Sequence, residues 1–123
     1  MNLTCSMSPE AQKLAQALLD HHRKVCRLQS KVSPGAESYL IAYGDLCEQA
    51  GLSQLKPNVG KYLREIAQWC HEKSWPPLNA LAVNHATHRP GRGYDSAPGC
   101  SCEHWQDEVT ACINFGGYPD SFS

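Results

Sequence analysis

The sequence predicts a mainly α-helical domain with a small β component, of the α+β class. Three observations lead there. Apolar residues recur three and four apart over helical lengths in three segments, the apolar runs at 39–43 and 78–84 are only strand-sized, and Pro and Gly clusters separate these segments. A chain of 123 residues, 41% hydrophobic and 19% charged, has the size and apolar content of one domain around one core, with no room for a separate catalytic domain. One domain is therefore expected over residues 1–123, organised as an N-terminal helix at 8–30, a central unit at 39–95, and an acidic C-terminal helix and tail at 96–123.

The first helix opens at Ser8-Pro9-Glu10: Ser caps free amides, Pro suits the first turn, and Glu favours the positive end. Its buried stripe is Ala11, Leu14, Ala15, Leu18, Leu19, Val25, Cys26 and Leu28, and Ser33-Pro34-Gly35 breaks the pattern. Tyr39 to Tyr43 fits either a short strand or the approach to a second helix. Gly44 to Leu52 reads as a short helix with Asp45 in its first turn and Gly51 as its left-handed stop. After a loop with Lys56 and Pro57, Asn58 caps a third helix whose inner stripe is Val59, Tyr62, Leu63, Ile66, Ala67 and Cys70. Trp75-Pro76-Pro77 ends it. Leu78 to Asn84 is expected to be a strand, residues 85–93 a hairpin or loop, and Glu103 to Phe115 a last helix with Trp105, Val109, Cys112 and Ile113 inward and Gly116-Gly117 as the stop.

Short helix, turn, longer helix, apolar strand and glycine-rich return is the order of a winged helix-turn-helix, here with extra N-terminal and C-terminal helices. Val59 arrives about two residues later than in the tight form of the motif, so a longer turn is expected. Tyr43-Gly44-Asp45-Leu46-Cys47, Val59-Gly60-Lys61-Tyr62-Leu63 and Pro76-Pro77-Leu78 together resemble the winged-helix half of the alkylguanine-DNA alkyltransferases and their alkyltransferase-like relatives, over about 50 of the 123 residues. That resemblance implies a third helix lying on DNA. It also implies an acceptor Cys in a Pro-Cys-His-Arg motif on the next strand, where this chain has Asn79-Ala80-Leu81-Ala82-Val83-Asn84. With no thiolate there, alkyl transfer is not expected.

The stretch from Trp75 to Asn84, followed by Arg89-Pro90-Gly91-Arg92-Gly93-Tyr94, also resembles small winged-helix-like modules of bacterial restriction and phage-associated proteins. This implies a role linked to DNA, to host defence or to counter-defence by a mobile element, carried by Pro76, Pro77, Asn84 and the Pro-Gly-x-Gly loop. The structural alternative is that the prolines stop a helix and the glycines serve a hairpin.

Eleven basic and twelve acidic side chains leave a net charge of −1, but the charge is unevenly spread: residues 1–55 balance, 56–92 carry +4, and 93–123 carry −5. The basic set is Lys56, Lys61, Arg64, Lys73, Arg89 and Arg92, and Asn58 at the helix start could reach a base edge. The DNA-binding candidates are therefore Lys56, Asn58, Lys61, Arg64, Arg89 and Arg92. The alternative reading is a solvated helix face and a protein-binding regulator or inhibitor, whose acidic Asp107, Glu108 and Asp120 meet a basic partner within a nucleic-acid-binding host complex.

Cys100-Ser101-Cys102-Glu103-His104 and Cys112 carry zinc-type ligands, but one residue between the cysteines is shorter than zinc spacing and no second cluster closes the site. No metal or other cofactor is expected. Exposed free thiols or a vicinal redox pair are the other readings of Cys100 and Cys102. His21 and His22 beside Asp20, and His71 beside Glu72, point in different directions on a helix and form no acid-base pair. His85, His88 and Asp95 are the least poor catalytic candidates, and no enzyme activity is expected. Seven cysteines, mostly single within apolar helices, favour a reduced cytoplasmic protein, and neither a signal sequence nor a membrane span is expected. Oligomeric state has no signature in the sequence.

Overall fold

The computed structural model describes residues 8–26, 40–54, 59–84, 86, 87, 89–91, 94, 95, 97–115, 117 and 118, without the side chains of 26 and 102. The chain is mainly helical with one small two-stranded sheet. In order the elements are α1 (Pro9–Cys26), β1 (Ile41–Ala42), α2 (Tyr43–Gln49), α3 (Val59–Glu72), a 3-10 turn (Leu78–Leu81), β2 (Ala82–Val83), a second 3-10 turn (Cys102–His104) and α4 (Trp105–Asn114).

The start of α1 is set by Ser8. Its Oγ accepts the Ala11 amide at 3.3 Å, and the same hydroxyl donates to Glu65 of α3 at 3.1 Å while the Ser8 amide donates to the other Glu65 oxygen at 2.8 Å. One residue thus caps a helix and ties it to another 57 positions away. Leu14, Leu18 and Leu19 of α1 are buried against Leu63 and Ile66 of α3, in one cluster that also takes in Leu46, Leu81, Val109 and Ile113. Each such side chain contributes about 1.5–3 kcal/mol by leaving water. The expected end of α1 near residue 30 and the loop at 33–35 lie outside the described residues.

Two helices end in the same hydrogen-bond pattern. At α2, the Leu52 amide donates to Cys47 and the Gly51 amide to Glu48, with Gly51 at φ 75°. At α3, the Trp75 amide donates to Cys70 and the Ser74 amide to His71, with Ser74 at φ 60°. Both are Schellman endings, with the left-handed position filled once by Gly and once by a residue that carries a Cβ.

The expected strand over 78–84 is corrected: Leu78–Leu81 form a 3-10 turn and only Ala82–Val83 are extended. Pro77 leads into the turn, the Ala80 amide donates back to the Pro77 carbonyl at 3.0 Å, and all four turn residues are buried. The Ala80 carbonyl accepts the Trp105 Nε1–H at 2.9 Å in place of a ladder partner. The turn is packed by α1, α3 and α4 at once. β2 pairs with β1 in parallel, Ile41 opposite Ala82 and Ala42 opposite Val83, with α2 and α3 forming the crossover.

Of the two forms expected after β2, a hairpin or a loop, the described residues show a turn, and among them no antiparallel strand follows β2. The Asn84 amide donates to the Arg89 carbonyl at 2.7 Å, Asn84 Oδ1 accepts the Ala86 amide at 2.8 Å, and the Gly91 amide donates to the Tyr43 hydroxyl at 2.6 Å. Trp75 meets Trp69 and Tyr118 edge-on, with centroids 5.1 and 5.7 Å apart. His22 is buried beside them, its Nε2 2.7 Å from the Cys112 carbonyl and its ring 4.8 Å from Tyr118. Burial lowers its pKa, and the hydrogen bond to Cys112 offsets only part of that.

Candidate nucleic-acid interface

The helical period of α3 sorts its residues into two faces. Val59, Leu63, Ile66, Ala67, Trp69 and Cys70 are buried, whereas Gly60, Lys61, Arg64, Gln68, His71 and Glu72 are exposed. Lys61 and Arg64 therefore project from the first half of the outer stripe. Lys61 Nζ lies 5.6 Å from the centroid of the Tyr62 ring, which steadies the ammonium while leaving it in water. Gln68 donates from Nε2 to Glu72 at 3.0 Å, so its amide is held along the helix with Oε1 as its second polar atom.

The other carboxylate of α3 is withdrawn from this stripe. Glu65 is half-buried and accepts both donors of Ser8, which spends its charge on the start of α1. The first two turns of the outer face therefore present Lys61 and Arg64, with Glu65 hydrogen-bonded to Ser8. The sequence signal for Glu65 was absent, because nothing local distinguishes it from a solvated glutamate.

Arg89 is exposed on the turn after β2, but its surroundings differ. A shallow hollow of about 280 Å³ is lined by Arg89, Glu103, Trp105, Gln106 and Asp107, so two carboxylates share the space of this guanidinium. The division into a basic central segment and an acidic end is thus blurred in three dimensions at this point. Lys56, Asn58 and Arg92 lie outside the described residues, as do His85, His88 and Asp120. Lys73 and Asp95 are exposed.

Of the acidic candidates, Asp107 is exposed and Glu108 is half-buried. Glu108 accepts the Tyr94 hydroxyl and, at 3.1 Å, the Ser101 amide, which ties both residues to α4. Burial, then the hydrogen bond to Glu108, pushes the Tyr94 hydroxyl pKa far up, so Tyr94 stays a donor. Asn79, 3% exposed, donates from Nδ2 to the Cys100 thiol at 3.6 Å. This polar group under α4 escaped the sequence reading, since residues 79, 94, 100 and 108 share no periodicity.

Among the described residues no group of three or more His, Cys, Asp or Glu side chains is placed to hold a metal ion, and no helix is long and apolar enough to cross a membrane. Comparison with protein-family models, curated proteins and solved structures yields no match.

Proposed function

We propose that the chain is a non-enzymatic winged-helix-like module that binds DNA, or a DNA-handling complex, with α3 as the helix laid against the duplex. The observation that carries this reading is the outer face of α3, where Lys61 and Arg64 are exposed one turn apart while Glu65 is turned to Ser8. Gln68, one turn beyond Arg64, supplies an amide able to read a base edge. The sequence resemblance to small modules of restriction and phage-associated proteins supports a role for such binding in defence or counter-defence.

Two phosphate contacts give a salt slope of about −1.8, so raising salt fourfold should weaken duplex binding about twelvefold. Fluorescence anisotropy with a labelled duplex at 50 and 200 mM salt checks this. The Lys61→Ala/Arg64→Ala variant should bind more weakly at low salt and lose most of the slope. No binding at low salt, or binding indifferent to both salt and substitution, removes the reading.

A second reading rests on the hollow beside Arg89: exposed Asp107 and Glu103 offer carboxylates to a basic protein partner, making the chain a regulator or inhibitor. Because Trp105, Val109, Cys112 and Ile113 belong to the core, charge reversal tests this better than truncation. Glu103→Lys/Asp107→Lys should abolish a nuclease-resistant complex while leaving duplex binding intact.

A further inference from the structure

We propose that Cys70 and Cys100 form a thiol pair that closes to a disulfide in the folded chain, with a low-molecular-weight disulfide as the oxidant. The two sulfurs are held by consecutive residues. Cys70 Sγ accepts the Leu78 amide at 3.5 Å, and Cys100 Sγ accepts Asn79 Nδ2 at 3.6 Å. The residues next to each cysteine also approach one another: a Cβ added to Gly99 would lie 3.2 Å from Nδ1 of the His71 side chain, and Gly99 takes φ 74°.

Asn79 singles out this spot. Its amide is 3% exposed, its Nδ2 spends its hydrogen bond on a thiol, and its Oδ1 is the one buried side-chain polar atom without a partner among the described residues. A core amide left half-satisfied is costly, and packing alone does not require a polar side chain there. Its Nδ2–H instead faces the Cys100 sulfur, where it can donate to the sulfur through which that cysteine would react. Cys100 is partly exposed and its thiol also donates to the Pro98 carbonyl at 3.5 Å. Cys70 is wholly buried, and burial pushes its thiol up to about 12, with the Leu78 amide lowering it and the charge of Cys100 raising it.

These differences order the chemistry. The Cys100 thiolate meets the oxidant first and attacks one sulfur of R–S–S–R, forming Cys100–S–S–R and releasing one RS⁻. Cys70 then loses its proton and attacks the Cys100 sulfur, forming the Cys70–Cys100 bond and releasing the second RS⁻. The two protons given up by the cysteines end on two molecules of RSH.

The test treats the folded full-length chain with oxidised glutathione, blocks remaining thiols under denaturing conditions, and maps peptides without reduction. A Cys70–Cys100 linked peptide, reversed by dithiothreitol, is expected, while Cys70→Ser should stop at one glutathione on Cys100. If Cys70→Ser loses its far-ultraviolet dichroism, Cys70→Ala takes its place, and if both unfold the wild-type map decides. A wild-type endpoint with glutathione retained on Cys100, a Cys100–Cys102 link, no oxidation, or a Cys70–Cys100 link that forms only in urea would overturn the proposal.

Discussion

Replacing Ser74 by Gly is expected to stabilise the fold, and replacing Gly51 by Ala to destabilise it by a similar amount. Both positions are the left-handed residue of a Schellman ending, at φ 60° and 75°, and both are exposed. A Cβ added to Gly51 would meet nothing within 4 Å, so backbone conformation alone decides the outcome there. A side chain in this region costs about 1–2 kcal/mol, while the greater unfolded-chain freedom of Gly returns about 0.4–1 kcal/mol. The net expectation is about 0.5–1 kcal/mol of stabilisation for Ser74→Gly and of loss for Gly51→Ala. With a urea slope of about 2 kcal/mol/M, the midpoints should move apart from the parent by about 0.25–0.5 M in opposite directions, with slopes unchanged. Midpoints moving in the same direction, or a Ser74→Gly variant no more stable than the parent, would refute the assignment of these two endings.

Two other outcomes follow from buried groups. The folded pKa of His22 lies below its unfolded value, so the unfolded state binds the proton more tightly. Stability should therefore be full above pH 6.5 and fall as the pH drops below it, and His22→Gln should flatten that fall in urea midpoints measured from pH 7.5 to 5. Equal pH profiles for the two proteins would count against it. Trp105→Phe removes the donor to the Ala80 carbonyl and leaves both a void and a dry acceptor, which should lower stability by about 2–3 kcal/mol in the same assay. A loss under 1 kcal/mol would mean that water reaches Ala80.

The helices were legible because their signals are local. Ser8 with Pro9, the left-handed Gly51, and the stripe from Val59 to Cys70 all declare themselves within one or two turns. Leu78 to Val83 misled because a continuous apolar run carries no period, and burial on every side removes the alternation that separates a strand from a buried turn. Exposed Lys61 and Arg64 could be placed from α3's period alone. The withdrawal of Glu65 to Ser8, the turning of Glu108 to Tyr94, and the burial of His22 depend on partners far along the chain. Those contacts fix which charges remain outside, and no short-range pattern encodes them.

The Leu78–Leu81 turn has a bearing on inheritance. Since α1, α3 and α4 all cover it, the stretch from 39 to 95 would expose its own centre if transplanted without both flanking helices. Recombination that exchanged that stretch as a cassette would yield an insoluble or unfolded product. Substitutions at exposed positions such as Lys61, Arg64 and Asn84 do not disturb that centre, whereas any at the four buried turn residues must be matched by all three helices.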